Sequence, residues 1–206
     1  MGSPSHRADF IERIPCVETS TDKEETLSRL KPYHDEAARL LGFDRTFHAD
    51  QVHGAEIAII TSSSPFLLRG VDGLITNEKL LLGIHVADCG ALYLLDQETG
   101  AIGLLHSGKK GTELNITGKA IQKMTLNFGT RPADLVAVLA PCIRPPHYEI
   151  DFATTIREQA RAAGVLENNY HDGGLCTASD LARFYSYRIE KGNTGRLLAL
   201  LGRTSS

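Results

Sequence analysis

The sequence predicts an α+β fold built on a mixed sheet, and three observations carry that prediction. Five short apolar runs of strand length follow one another between residues 55 and 106. A stretch with helical character precedes them, and after residue 112 helix-like and strand-like segments alternate. A helix, then a block of strands, then alternation departs from the regular βα alternation of a doubly wound fold and favours a mixed sheet in an α+β arrangement.

The elements read as follows. Residues 1–20 show no clear period, and the opening MGSPSH reads as a floppy terminus or an appended tag. TDKEETLSRLKPYHDEAARLLG is a helix with Thr21 or Asp22 as N-cap and Gly42 as its stop. Pro32 is expected to kink it or divide it in two. AEIAII (55–60) is β-like, and SSSPF (62–66) is a loop. VDGLIT (71–76) and LLLGIHVA (80–87) are strands, as are ALYLLD (91–96) and AIGLLH (101–106) around the hairpin signal QETG. TELNITGKAIQKMTLNFG (112–129) has helical spacing and a terminal glycine. DLVAVLA (134–140) reads as a buried strand and FATTIREQARAAG (152–164) as a helix. ASDLARFYSYRIEKG (178–192) reads as a helix capped by Ser179 or Asp180, and GRLLALLG (195–202) as a last strand or core segment.

The 206 residues suit a single domain, 1–206, with enough chain to bury a sizeable core. A net charge of −3 gives no support for nucleic acid or an anionic membrane as partner. Four cysteines, Cys16, Cys89, Cys142 and Cys176, form no CxxC pair, and no apolar leader opens the chain. Reduced thiols and a cytoplasmic location are therefore expected. No apolar run reaches the roughly 20 residues that a membrane helix needs. GKKGT lacks the upstream glycine of a phosphate-binding P-loop, and no GxGxxG follows a strand.

Three places put reactive side chains at turns beside apolar strands. They are Gln51 and His53 in ADQVHGAEI, Asp88 and Cys89 in HVADCG, and His106 with Lys110 in LLHSGKKGT. Gln51 and His53 share a face if extended, and Cys89 and His106 lie at strand ends flanking one hairpin. A thiolate and two imidazoles suit zinc, with a fourth position open. The Cys89–His106 pair equally reads as a metal-free nucleophile and its base, and a lone cysteine after a strand is commonly a small core residue.

The motifs QVHG, VDGLIT, HVADCGALYLLD, GLLHSGKKGT, VLAPCIRPPHYEI, LCT and FYSYRIEKGNTGR, in that order, resemble the YfiH family, also called the laccase-domain or polyphenol oxidase family. The resemblance covers roughly residues 45–200. It implies a mixed α/β sandwich like that of a cysteine-dependent bacterial deamidase toxin. It implies zinc held by His53, Cys89 and His106, the positions already singled out. It also implies purine nucleoside phosphorolysis with adenosine, inosine, guanosine or methylthioadenosine, adenosine deamination, or trimming of wrongly built peptidoglycan precursors. The laccase label implies copper, but the chain holds 8 histidines without an HxH pair, so copper is not expected.

The chain also departs from the family pattern. The family's HaGWrGt is HSGKKGT here, with Lys109 for Trp and Lys110 for Arg. ADCvP lacks its proline, Ala140 replaces a glycine, and His147 replaces a cysteine. The family's N-terminal motifs are not recognisable in residues 1–45, which are shortened or rewritten.

Each further candidate has a functional and a structural reading. Asp88 orients a ligand histidine or binds substrate, or else caps a turn. Asp72 holds a polar substrate group or makes an Asx turn. Lys110 attracts phosphate near the start of the following helix, or is simply solvated. His147 with Tyr148 is an acid/base or substrate contact, and Arg188 and Arg196 pair with phosphate or with internal carboxylates. His85 is structural, Cys176 is a core thiol, and Cys16 and Cys142 carry no site. Two alternatives stand beside the zinc phosphorylase: a metal-free Cys–His hydrolase or deamidase, and a degenerate binding protein that has lost catalysis.

Overall fold

The computed structural model describes residues 5–204. The first half of the chain holds β1 (Ser5–Ile11), α1 (Lys23–Leu40), β2 (Phe47–Ala49), β3 (Ile57–Ile59), β4 (Leu67–Leu68), β5 (Gly73–Thr76), β6 (Leu81–Val86), β7 (Gly90–Asp96) and β8 (Ile102–Ser107). The second half continues through α2 (Lys109–Glu113), α3 (Ile116–Phe128), β9 (Leu135–Leu139), α4 (Phe152–Ala162), β10 (Tyr170–Asp172) and β11 (Leu197–Thr204). The strands form two mixed sheets, ordered β1-β11-β6-β2-β4 and β10-β9-β7-β8-β5-β3.

Side-chain parity stacks these into layers. In a strand, alternate residues point to opposite faces. Leu82, Ile84 and Val86 of β6 and Leu197, Ala199 and Leu201 of β11 meet Ala91, Tyr93, Ile102 and Leu104 of the other sheet. The opposite face of the first sheet, through Leu81, Leu198 and Leu200, takes Ala37 and Ala38 of α1. The opposite face of the second, through Leu92, Leu94 and Leu105, takes Ile116, Ala120, Ile121 and Met124 of α3 and Phe152 and Ile156 of α4. Strands covered on both faces read as continuous apolar runs, as β6 and β8 do. Parity also prepares the site. Cys89 shares the phase of Ala91 and Tyr93, and His106 that of Ile102 and Leu104. Both therefore lie on the face between the sheets, at the ends of paired strands, where Ala91 sits opposite His106.

The structure corrects several expectations. Residues 1–4 lie outside the described residues, but from Ser5 the supposed floppy terminus is β1, paired along its length with β11. Pro32 does not divide α1, which is capped by Asp22 accepting from the N–H groups of Glu24 and Glu25. The helix expected over 112–129 starts earlier and breaks at Asn115, whose φ of 57° is left-handed and whose side chain caps α3. The helix expected over 178–192 is absent: a 3-10 turn at Thr177–Ser179 is followed by turns. Phe184, Tyr185 and Ser186 are consecutive and all buried, which one face of a surface helix cannot provide. Side chains also take local donors there, since Glu190 accepts from the Ser186 N–H and Asp88 from the Arg188 N–H. The strands β2, β4 and β10 are additions to the sequence reading, and β4 follows directly on the loop at 62–66.

Between α1 and the first sheet lie His34, His48 and His85. The His48 and His85 rings stack with centroids 4.9 Å apart, and the His34 ring sits 5.3 Å from that of His85. Burial holds His34 and His48 down to about 4 and His85 well below its ordinary value, and the neighbouring imidazoles add to the shift at His34 and His85. Free histidine titrates at about 6.5, so from about pH 6.5 down to 4 the unfolded chain binds more protons than the folded one. Stability is therefore full above that window and falls as pH drops through it, by about 1.4 kcal/mol per pKa unit for each imidazole. Urea unfolding followed from neutral pH to about pH 4.5 should show this fall. It should be shallower in His48→Gln, and identical profiles would refute the assignment.

Candidate functional site

Three segments converge at the ends of β5, β7 and β8. Asp72, which no solvent reaches, precedes β5. One of its carboxylate oxygens lies 2.8 Å from His106 Nδ1 and accepts the His53 N–H at 2.9 Å. The other accepts the Gly54 N–H at 2.7 Å. Backbone adds a fourth link, the His106 N–H donating to the Asp72 carbonyl at 2.7 Å. One carboxylate thus sets both the His106 ring and the turn that carries His53. With Nδ1 held from behind, His106 presents Nε2 forward, the usual arrangement behind a metal-binding histidine.

Cys89, His53 and His106 each offer one ligand atom, and these atoms lie within 4.8 Å of one another. No other such group of histidine, cysteine or carboxylate donors occurs among the described residues. The His53 and His106 rings are edge to face, 4.9 Å between centroids. Burial pushes the Cys89 thiol up, but the two imidazoles outweigh it and bring it down to about 6. Burial lowers His106 in turn, while the Cys89 thiolate and the Asp72 carboxylate raise it to about 9. The two shifts have opposite directions, and each charged form favours the other, thiolate beside imidazolium. A cation taking the proton's place meets a deprotonated sulfur and two ring nitrogens, which is the chemistry of a zinc-type donor set.

The backbone at this centre is strained. Gln51, His53 and Asp88 all hold positive φ, 65°, 60° and 84°. Such conformations cost roughly 1–3 kcal/mol each and cluster at active and ligand sites. Gly108 follows β8, and a Cβ there would sit 2.5 Å from Cys89 Sγ, so only glycine lets the thiol occupy its place.

The three ligand candidates open into a cavity of about 710 Å³. Tyr148, Phe152, Tyr187 and Ile143 give it apolar and aromatic wall, and Lys23, Lys109, Arg188, Lys191 and Arg196 give it cations. The structure brings Gln51, Asp88, Tyr148 and Arg188 to this wall with the three ligand candidates. Gln51 has both ends of its amide tied to β6, donating to the His85 carbonyl and accepting the His85 N–H at 3.0 Å. Asp88 accepts from the Thr177 hydroxyl and the Arg188 N–H, each at 2.7 Å, so its contact is with the 177–188 segment, and the carboxylate behind the histidine is Asp72. Arg188 pairs with Glu149 at 3.1 Å and lies over the Tyr148 ring.

Lys110 is exposed on α2 and does not line the cavity, whereas Lys109 does. His147 is also off the wall, its Nδ1 3.6 Å from Cys176 Sγ. His85, read as structural, lines both the cavity and the histidine cluster beneath it. Sequence reasoning misses Lys23, Lys109, Lys191, Phe152 and Tyr187 as cavity residues. Lys109 carries a signal, since it stands where the resembled motif has Trp, but in the sequence alone that signal shows only as a departure.

Comparisons with known proteins bear on the family and the fold. The sequence matches the family described as multi-copper polyphenol oxidoreductase laccase over residues 16–154 and 147–204. It is 30% identical to the purine nucleoside phosphorylase YlmD of Geobacillus stearothermophilus, covering 78% of this chain and 73% of the relative. It is 33% identical to a purine nucleoside phosphorylase of Deinococcus radiodurans, covering 84% and 78%. Among solved structures, YfiH of Bacillus licheniformis superposes with a TM-score of 0.85 at 23% identity, over 96% of this chain and 92% of that one. YlmD of Geobacillus stearothermophilus gives 0.80 at 25%, over 98% and 92%. With a matching motif set, a matching fold and relatives that align along most of its length, the chain belongs to the laccase-like family of YfiH and YlmD.

Proposed function

We propose that this protein is a zinc-dependent purine nucleoside phosphorylase. The observation that carries the reading is the His53–Cys89–His106 cluster set in a cavity lined by aromatic and cationic side chains. Zinc fits the donor set better than copper, because a laccase requires several copper centres and one cluster is present among the described residues. When bound, zinc would supply Lewis-acid stabilisation of developing negative charge.

The chain's own groups account for the rest. Asp72 fixes the ring of His106 and the turn of His53, so that the donors need no reorganisation. Arg196 lies near Cys89 and Asp88, makes no ion pair among the described residues, and is suited to hold inorganic phosphate beside the cluster. Tyr148, Phe152 and Tyr187 offer faces for a purine, and the Arg188 guanidinium over Tyr148 gives that wall a donor toward the departing base. In the reaction a phosphate oxygen bonds to C1′ as the C1′–N9 bond breaks. The electron pair goes to the base, which takes up a proton, leaving pentose 1-phosphate and free purine. Attack by water at the purine C6 would release ammonia instead.

The test incubates the zinc-supplemented protein with inosine or adenosine, with and without phosphate, and follows products by chromatography. Phosphate-dependent release of hypoxanthine or adenine is expected. It should fall by about a hundredfold or more in Cys89→Ser. Ammonia from adenosine without base release would move the chemistry to the purine ring. Activity without zinc that alkylation of Cys89 abolishes would favour a metal-free cysteine hydrolase.

A further inference from the structure

We propose that the cavity is built for a purine nucleoside that itself carries an anionic group, a nucleoside monophosphate, with Lys23 and Lys191 holding the second phosphate. The inference rests on the phosphorolysis reading for its chemistry but on the charge of the cavity for its argument.

Five cationic side chains line the cavity, and Asp88 is the only carboxylate among the lining residues. Arg188 is the one cation of the five paired to a carboxylate, Glu149, among the described residues. Lys23, Lys109 and Lys191 have no hydrogen-bond or ion-pair partner among the described residues. Arg196 bonds only to the carbonyls of Thr194 and Gly195. The four come from three separate segments, the start of α1, the start of α2 and the loop before β11, so no single helix face or sequence run explains them. The chain as a whole carries a net charge of −3, which makes this concentration of positive charge local. Like charges in one concave cleft repel and raise the potential inside it, which an anionic ligand relieves.

Inorganic phosphate and a neutral nucleoside leave that field half answered. Phosphate brings a charge of about −1.5 to −2 near neutral pH. Arg196 lies close enough to Cys89 and Asp88 to interact electrostatically with both, and Lys109 adjoins Gly108, which packs on the Cys89 sulfur. These two cations serve an anion at the cluster. Lys23 and Lys191 remain, one from the first turn of α1 and one from the exposed loop before β11. A phosphate on the 5′ oxygen of the substrate answers them. The reaction balances as before: the phosphate oxygen–C1′ bond forms, the C1′–N9 bond breaks, the base leaves with its electron pair and gains a proton. The sugar product is then a pentose 1,5-bisphosphate.

The test is equilibrium binding of inosine and inosine 5′-monophosphate to the zinc-supplemented full chain by calorimetry, without inorganic phosphate. Wild type is compared with Lys23→Met, Lys191→Met and the double variant, each checked for an unchanged thermal transition. Wild type should bind the monophosphate at least about tenfold more tightly, a preference that weakens with added salt. The double variant should bring the two ligands toward equal affinity. Equal binding by wild type, or a preference that the double variant keeps in full, overturns the inference and assigns all four cations to inorganic phosphate. Base release, measured separately, decides the phosphorolysis reading whichever way the binding falls.

Discussion

Asp72→Ala is expected to strip the site of metal and to destabilise the fold in the same step. The carboxylate is fully buried and receives the His106 ring and the N–H groups of His53 and Gly54. Its removal leaves these donors without an acceptor, and breaking a buried charged pair costs about 3–5 kcal/mol. Losing the carboxylate behind a ligand histidine lowers metal affinity by roughly 10–100-fold. Asp72→Asn separates the two effects. It preserves volume and one of the two acceptor oxygens, so it should lose less stability than Asp72→Ala while still weakening zinc, because an amide does not carry the charge that supports His106. Denaturant titration and competitive chelation read the two quantities. An Asp72→Asn protein with wild-type zinc affinity would show that the carboxylate is purely structural.

Gly108→Ala is the second large effect, and it comes from a single methyl group. That Cβ would meet Cys89 Sγ at 2.5 Å, well inside contact distance. Either the thiol leaves its place among the imidazoles or the start of α2 moves. Overpacking of this kind costs about 1–3 kcal/mol, so the variant should fold. It should lose metal and activity far out of proportion to its stability. It should also raise the titration of the Cys89 thiol, since a displaced sulfur loses the imidazoles that hold it near 6. Thiol alkylation against pH in metal-free protein measures this, and an unchanged profile would mean that the backbone yields and the sulfur does not.

Apolar runs of strand length bounded by turns govern what is legible in the sequence. The runs at 80–87, 91–96 and 101–106 are β6, β7 and β8 within a residue or two, and the hairpin between the last two pairs Ala91 with His106. That pairing is why the residue pattern alone brings Cys89 and His106 together. Asp72 is visible only as a turn or substrate residue, because its partner His106 lies 34 positions away and nothing local announces the bond. Asp88, adjacent to Cys89, invites the orienting role by proximity in the chain, while its carboxylate bonds Thr177 and Arg188, 89 and 100 residues on. The 178–192 segment has helical spacing but spends its hydrogen-bonding groups on tertiary contacts, which local pattern does not report. The cations of the cavity come from three segments far apart in the chain, and Lys23 belongs to the N-terminal part where no family motif is recognisable. The strands of two or three residues, β4, β2 and β10, are too short to show a period at all.

Elemental analysis of purified wild-type protein beside Cys89→Ser tests most directly whether His53, Cys89 and His106 hold zinc. Close to one zinc per wild-type chain, and a small fraction of that in the variant, is the predicted result. No zinc in either protein, with phosphate-dependent base release intact in the wild type, would contradict it.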